Sequence, residues 1–410
     1  MTSILLVSAT QSLCARMPEV LSDRNLGITV IGSAQGQLLG SPFVDSYEAV
    51  AETPADFVAA IIARPELIDR GVDWVLYDND ELIRELARGS WPDEVKRRCL
   101  PAVTVAGLDA LGSKIGQQVL AEKAGVPTPE TRVVHDVDDV TRALREMPGP
   151  MLLKSDVGGG GTQVWPLRDA HDLSRVPRLS EQLPALVQEP IQGELISVEP
   201  LYRRGRLLGL QYSRMERTMR GGFGPSTVRR FLDPPDDVLE ILSALGEAGG
   251  LNGFGNLTFI RCPRRQQHLL IECDMRMNTC AQYGPQLGVD WGALLAGDDV
   301  DGVATTSLGP AGRVIHVYPR AIGAAISEVS WGHLRPWVMR AHGTWDARNR
   351  RDPVVNAAER AEVLGPQALT RHLLHDPLRA TWLRLPPGLR QSMEGRRWKH
   401  KALRAMGIYI

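Results

Sequence analysis

Cysteine is scarce in this chain and follows no pattern. The 410 residues hold five, Cys14, Cys99, Cys262, Cys273 and Cys280. The number is odd and no Cys-x-x-Cys pair occurs, so neither a disulfide framework nor a zinc site is indicated. No apolar run approaches the length needed to span a membrane. The opening Met-Thr-Ser-Ile-Leu-Leu-Val-Ser-Ala-Thr lacks a positive leader and a cleavage site, and reads as a first core strand. A reducing cytoplasm is therefore the expected location. Charge of one sign is also lacking: the net is -1, which argues against nucleic acid as a partner. No Ser/His or Cys/His arrangement for nucleophilic catalysis stands out. With 43% hydrophobic and 23% charged residues the chain reads as globular, and its length exceeds one ordinary core.

What is present concentrates in a few segments. Residues 271 to 278 read Ile-Glu-Cys-Asp-Met-Arg-Met-Asn. On a strand, side chains alternate, so Glu272, Asp274 and Arg276 share one side and Cys273 faces the other, into the core. Two carboxylates and a guanidinium together suit a divalent metal and phosphate, because Mg²⁺ takes oxygen ligands and Arg grips phosphate bidentately. The plainer alternative is an exposed strand of mixed charge.

Upstream, residues 151 to 164 give a short apolar strand ending in Lys154, then Gly158, Gly159, Gly160 and Gly161, then a second strand. Glycines let backbone N–H groups approach a polyphosphate. No Gly-Lys-Ser/Thr follows, so this is not a Walker A loop, and the following strand excludes a Rossmann fingerprint. Alone, four glycines are more simply a hairpin tip, but Lys154 directly before them favours phosphate. Residues 185 to 199, Ala-Leu-Val-Gln-Glu-Pro-Ile-Gln-Gly-Glu-Leu-Ile-Ser-Val-Glu, form a buried strand, a polar kink and an alternating strand. Backbone groups there and the carboxylates of Glu189 and Glu194 suit an adenine edge and a ribose.

In this order the segments resemble the ATP-grasp superfamily, above all its carbamoyl-phosphate-synthetase-like and carboxylate–amine ligase members, over roughly residues 1 to 295. The motifs that carry the resemblance are Leu-Leu-Lys-Ser with its glycine loop, Val-Gln-Glu-Pro-Ile-Gln-Gly-Glu, and Ile-Glu-Cys-Asp-Met-Arg in place of Glu-x-Asn-Pro-Arg. The resemblance implies that Lys114 and Lys154 contact ATP phosphates under the Gly158 to Gly161 loop. It implies that Gln188, Glu189 and Ile191 belong to the adenine hinge and that Glu194 meets the ribose. Glu272 and Asp274 would hold Mg²⁺, with Asn256 and Thr258 on the neighbouring metal-site strand, and Arg276 would meet the transferring phosphoryl group. Asp274 stands where Asn is usual, Thr258 where a longer Gln, Glu or Asp is usual, and Ser113 where Asp often precedes the lysine.

The organisation read from the chain is α/β and α+β, in several domains. Strands at 3–9, 28–33 and 72–77 alternate with helices at 12–24, with Pro18 in the first turn, and 54–69. This predicts a parallel α/β domain over 1–106, of the kind that precedes ATP-grasp units. After it, Tyr77-Asp78-Asn79-Asp80 lies where open α/β sheets bind ligands, although helix capping is the preferred reading of these side chains. A helix over 107–125 leads into a small α/β lid, assigned to 107–184, with helices at Val137 to Glu146 and Ala170 to Ser174. An antiparallel catalytic subdomain follows over 185–330.

Residues 212 to 230 carry Arg214, Arg217, Arg220, Arg229 and Arg230 around a glycine-broken loop. Arg217 and Arg220, nearest the glycines, are the candidates for binding a substrate carboxylate or acyl phosphate. Residues 331–410 form a basic extension with 15 Lys and Arg against 6 Asp and Glu, and five of the nine tryptophans. Its stretch 396–404 suits peripheral contact with an anionic membrane or an acidic partner, but packing on the parent domain or a dimer mate is preferred. His333, His342, His372 and His375 show no metal spacing and read as structural.

The function expected is an ADP-forming carboxylate–amine ligase working through an acyl phosphate, with ATP and Mg²⁺ as cofactors. Its partners would be a small carboxylic acid and an amine, amino acids among them, and a homodimer is the expected assembly. The alternatives are carboxylase-like or kinase-like phosphoryl transfer, or a non-catalytic ATP-binding scaffold.

Overall fold

A computed structural model describes residues 2–9, 11–50, 53–64, 72–147, 149–159, 161, 163–219, 224–297, 302–318, 320–321 and 351–364. Gly160, Arg220, the stretch 396–404 and the four histidines named above lie outside the described residues.

Three sheets organise the chain. The first is parallel: β1 (Thr2–Ser8), β2 (Leu26–Ser33), β3 (Ser46–Val50) and β4 (Trp74–Tyr77), in the order β3-β2-β1-β4. β1 and β4 are apolar runs buried on both faces over most of their length. One face packs Leu5, Val7 and Val75 on Phe57, Ile61, Leu82 and Leu86 of helices Pro54–Ile62 and Asp80–Arg88. The other packs Ile4, Leu6 and Trp74 on Leu201, Phe254 and Trp291, so this domain shares its core with the large antiparallel sheet. The helix expected at 12–24 is reduced to Met17–Leu21, with Pro18 in its first turn. β3 escapes the sequence reading because Ser-Tyr-Glu-Ala-Val lies half-exposed at the sheet edge, without an apolar run.

The second sheet is antiparallel: β5 (Thr131–Val134), β6 (Met151–Ser155), β7 (Val164–Leu167) and β8 (Ala185–Gln188), ordered β5-β8-β6-β7. Helix Val137–Glu146 buries Val140 and Ala143 against Met151, Leu153 and Val187. The sequence reading starts the large sheet at 185, but β8 pairs with β5 and β6. A four-residue apolar strand carries no mark of its partners, and the change of sheet falls at the kink after Gln188.

The third sheet holds β9 (Glu194–Arg203), β10 (Arg206–Thr218), β11 (Ser226–Leu232), β12 (Gly253–Phe254), β13 (Asn256–Cys262), β14 (Gln267–Asp274) and β15 (Arg313–His316). Its order is β14-β13-β9-β10-β11-β15, with β12 on β9. Helix Asp236–Gly249 covers one face, burying Val238, Leu242 and Leu245 with Val198, Leu210, Leu257 and Phe259. The helix expected at 107–125 is two helices, Val105–Ala110 and Lys114–Lys123. Gly112, at φ +67°, turns the chain. Ser113 then caps the second helix, its Oγ accepting from the Gly116 N–H at 3.0 Å. Both helices pack against Asp236–Gly249, and the second packs against both β14 and β8, so it bridges the large sheet and the small one.

Part of the basic extension is described. Helix Pro353–Leu364 docks on the first domain, where Val355 enters the core and Glu359 pairs with buried Arg16.

Candidate active site

Antiparallel register brings the carboxylates together. Glu272 lies opposite Thr258 and Asp274 opposite Asn256, so the four residues form two adjacent cross-strand pairs on one face of β13 and β14. Leu257 and Cys273, one residue out of phase, enter the helix-covered core. Thr258 is also in register with Ser197, which places Ser197 and Glu199 of β9 on the same polar face.

A chain of hydrogen bonds crosses this face. Arg276 donates from Nη2 to Asp274 Oδ2 at 2.9 Å and from Nε to Asp80 Oδ2 at 2.5 Å. Asn256 Nδ2 donates to Asp274 at 3.4 Å, and Asn278 Nδ2 donates to Asn256 Oδ1 at 2.5 Å and to Glu199 Oε1 at 3.3 Å. Glu199 Oε1 also accepts from Ser197 Oγ at 2.9 Å and from Arg229 Nη1 at 2.5 Å. Glu199 Oε2 is buried without a hydrogen-bond partner among the described residues. Burial, Asp80 and Glu272 together hold the Asp274 carboxyl well above its usual range, against the lowering effect of Arg276 and Lys114. Burial works against the Arg276 cation, but Asp80 and Asp274 outweigh it and raise its pKa.

The lysines face this carboxylate set from the other side. Lys154, on β6, is buried, and its Nζ donates to Gln188 Oε1 at 2.5 Å. Desolvation pushes its pKa down to about 8; Glu272 acts to raise it and Lys114 to lower it further. Charges on β6, on β14 and at the start of the Lys114–Lys123 helix therefore act on one another across a single gap.

That helix start is bound to the glycine loop. Asp156 Oδ1 accepts from Ser113 Oγ at 2.7 Å and the Ile115 N–H at 2.9 Å, and its carbonyl accepts from the Lys114 N–H at 3.0 Å. Lys114 Nζ donates to the Gly158 carbonyl. Gly158 has φ +123°, and a Cβ there would stand 1.6 Å from Gln163 Oε1, so glycine is required. Gln117, on the same helix, accepts from the Cys273 N–H at 3.1 Å, tying it to the carboxylate strand.

Around the kink the groups are already engaged. The Glu189 carboxylate takes a bidentate pair from Arg265 at 2.7 and 2.8 Å and the Glu130 N–H at 2.8 Å. Its own N–H donates to the Glu130 carbonyl at 2.9 Å, so this residue anchors the kink. Ile191 packs with Cys262 and Leu269. Glu194 is held by Arg214 at 2.7 Å and Arg261 at 3.3 Å.

Several residues of the site were not singled out in the sequence. Glu199, Asn278 and Arg229 are buried at its centre. Arg229, one of the five arginines around the glycine-broken loop, is fully buried against the Glu199 carboxylate. Its position in Ser-Thr-Val-Arg-Arg-Phe-Leu, in phase with buried Thr227 and Phe231, was the available signal. Arg217 is the last residue but one of β10, with its pKa lowered by burial. Asn79, and neither neighbouring aspartate, caps helix Asp80–Arg88, its Oδ1 accepting from the Leu82 N–H at 2.8 Å. Asp80 is thereby left to Arg276, while buried Asp78 accepts from Ser8 Oγ at 3.0 Å.

The donor set fits a hard divalent cation. Glu272 and Asp274 carry mutually repelling carboxylates, Glu199 has an orphaned oxygen, and Asn256 and Thr258 add neutral oxygens. Among the described residues no three His, Cys, Asp or Glu side chains are grouped so as to hold a metal ion by themselves.

No family model matches the chain. Solved structures do. The biotin carboxylase domain of the Hydrogenobacter thermophilus 2-oxoglutarate carboxylase, in complex with MgADP, ADP and bicarbonate, matches at TM-score 0.55 and 16% identity over 73% of this chain and 71% of that one. N5-carboxyaminoimidazole synthetase from Staphylococcus aureus, complexed with ADP, matches at 0.56 and 13% over 74% and 79%. Phosphoribosylamine–glycine ligase from Thermotoga maritima matches at 0.52 and 13% over 76% and 78%. The chain has the ATP-grasp fold that the motifs led one to expect. No described helix is long and apolar enough to cross a membrane.

Proposed function

We propose that the protein is an ADP-forming carboxylate–amine ligase, acting in the cytoplasm as a homodimer on a small carboxylic acid and an amine. The observation that carries this reading is that the Lys114 helix is tied both to the carboxylate strand, through Gln117 and the Cys273 N–H, and to the glycine loop beyond Lys154, through Asp156 and Gly158, which brings the lysines to Glu272 and Asp274 across one gap. A triphosphate satisfies such a gap, since its anionic oxygens meet the lysines and its metal-binding oxygens meet the carboxylates.

In this reading adenine lies along Gln188 to Ile191, and Glu194 turns to the ribose from its pairs with Arg214 and Arg261. The loop from Gly158 to Gly161 covers the phosphates. Glu272 and Asp274, with Asn256 and Thr258 beside them, would hold magnesium, which would neutralise phosphate charge there. Lys154 and Arg276 stabilise the charge that develops while a substrate carboxylate oxygen attacks the γ-phosphorus and ADP departs with the electrons of the broken P–O bond. Arg217 and Arg220 hold the substrate carboxylate. The acyl phosphate is attacked at its carbonyl carbon by the neutral amine; phosphate leaves, the nitrogen loses a proton, and an amide remains. No protein nucleophile is needed, because the carboxylate fills that role and the protein positions and polarises.

The test is ADP release across a matrix of carboxylic acids, amino acids among them, and amines, with product mass read in parallel. Turnover should require one member of each class. Turnover with bicarbonate in place of the acid would favour the carboxylase-like alternative, to which the bicarbonate-bound structure above points. Nucleotide binding with no ADP release under any pairing would favour a scaffold.

A further inference from the structure

Asn256 stands on the metal-site strand that the sequence resemblance implies, but its hydrogen bonds give it another task. Both ends of its amide are engaged: Oδ1 accepts from Asn278 Nδ2 at 2.5 Å, and Nδ2 donates to Asp274 Oδ2 at 3.4 Å. Charge fixes which end is which. Asn278 Nδ2 also donates at 3.3 Å to Glu199 Oε1, an oxygen that accepts from Arg229 and Ser197 as well, so only the N–H₂ end of the Asn278 amide can face it. Asn278 Oδ1 serves the following turn, Thr279–Leu287, accepting from the Cys280 N–H at 3.3 Å. The second hydrogen on Asn278 Nδ2 then calls for the carbonyl oxygen of Asn256, which leaves the N–H₂ of Asn256 for Asp274. A carboxylate at each end gives the two amides a single direction.

The far end of this chain is anchored, since Glu199, Arg229 and Asn278 are all buried. At the near end both donors to Asp274 fall on one oxygen. Oδ2 takes Asn256 Nδ2 and, at 2.9 Å, Arg276 Nη2, whose guanidinium is held in turn by Asp80. Asp274 is thus gripped by two arms, one from the first domain through Arg276 and one from β9 through the two asparagines. Neither arm engages Oδ1, and the carboxylate cannot turn without breaking both.

We propose that Asn278 and Asn256 are positioning residues for a metal carboxylate: they carry the fixed position of Glu199 across to Asp274 and hold its Oδ1 toward the cation that Asp274 and Glu272 would share. The inference rests on the metal assignment made under the proposed function and divides the two neutral residues beside the carboxylates. Asn256 orients a ligand, whereas Thr258 stays a source of oxygen. Replacing a residue that orients a metal ligand typically lowers metal affinity by about 10- to 100-fold. The 3.4 Å contact is long for a hydrogen bond to a charged group, which sets the expected effect at the lower figure.

The test is Mn²⁺ binding to the full chain in the presence of ADP, read from the electron paramagnetic resonance of free Mn²⁺, for the wild type, Asn278→Ala, Asn256→Ala and the double variant. ADP affinity in EDTA is measured alongside by calorimetry. Each single variant should bind Mn²⁺ about tenfold more weakly, with metal-free ADP affinity held within about twofold. The double variant should be no more than about twofold weaker than Asn256→Ala alone, because one residue acts through the other. Wild-type Mn²⁺ affinity in either single variant would overturn the proposal. So would losses that multiply in the double variant, which would mean that Asn278 acts by another route, or an equal loss of metal-free ADP affinity, which would mean that the amides only support the fold. If Asn278→Ala does not fold, Asn278→Ser goes through the same cycle, and the same outcomes decide. A wild-type chain that binds no Mn²⁺ with ADP would remove the metal assignment together with the positioning role. Product formation is not read in any of these measurements, so the ligase reading and this inference can fail separately.

Discussion

The two sheets that face each other across the candidate site are built in opposite ways. The small sheet offers cation and backbone: Lys154 projects from a strand buried throughout, and Gly158 is placed by Asp156 and Lys114. The large sheet offers carboxylate and amide, Glu272, Asp274, Asn256 and Glu199, tied to one another and to Arg276 and Arg229. Each half carries a cost that the other only partly offsets. Lys154 is a desolvated cation and Asp274 a desolvated, repelled anion, so both are more comfortable uncharged than exposed groups of their type. Under the proposed function, stability is given up on both sides of the gap for affinity toward a ligand that carries both signs, as metal-bound polyphosphate does.

This contrast can be broken from either side. The largest effect should follow Glu272→Ala, which removes the carboxylate that acts on Lys154. Substrate-dependent ADP formation should fall by about 10²-fold or more. Wild-type turnover would falsify the metal assignment.

Next comes Lys154→Met, which keeps the volume of the side chain and removes its charge. MgADP affinity should drop by about tenfold or more, while the ligand-free protein melts at a higher temperature. The shift from 10.5 to about 8 corresponds to a burial cost on the order of 3 kcal/mol at neutral pH. Calorimetry of nucleotide binding and a thermal melt decide it, and an unchanged melting temperature would refute the cost. The same group gives a pH signature. The unfolded chain holds this proton to about 10.5 and the native state releases it near 8, so unfolding takes up a proton between those values and stability rises with pH across them. Over the same interval MgADP affinity should fall, because the free protein is losing the cation that meets phosphate. In Lys154→Met both trends should flatten.

A smaller effect is expected from Asp80→Asn, which loosens Arg276 from the first domain without touching the lysines. kcat should fall by roughly tenfold with MgADP affinity held within about twofold, and Asp80→Glu should restore part of the loss. Equal losses in binding and turnover would mean that Asp80 acts on nucleotide binding as a whole. The smallest is Gly158→Ala, whose positive φ and contact with Gln163 cost roughly 1–2 kcal/mol of local strain. Nucleotide affinity should drop a few fold with the melting temperature almost unchanged; a large fall in melting temperature would show that the loop belongs to the folding core.

Much of the site was legible because its chemistry is written in short, regularly spaced segments. Alternation placed Glu272 and Asp274 against Cys273, whereas Arg276 lies past the end of β14 and reaches Asp274 from the turn; the glycine loop beside Lys154 needed only its own composition. Glu199, Asn278 and Arg229 were not legible, since each looks ordinary within its own strand or loop. Their role comes from register between β9, β13 and the turn after β14, which no local pattern encodes. Lengths were the weak point of the fold. The helix at 107–125 divides at Gly112, and β8 belongs to the lid, because capping by Ser113 and strand pairing over four residues are decided by what lies nearby in space.

By itself the sequence determined the alternation of strand and helix, the sign and spacing of the charged groups, and the glycines that let backbone approach phosphate. These are properties of neighbours along the chain. Only the tertiary structure decided which charges meet: that Asp80 of the first domain holds Arg276, and that Arg16 receives Glu359 from the far end of the chain. Pairings of that kind depend on how the sheets stack, and burial makes each of them strong enough to matter.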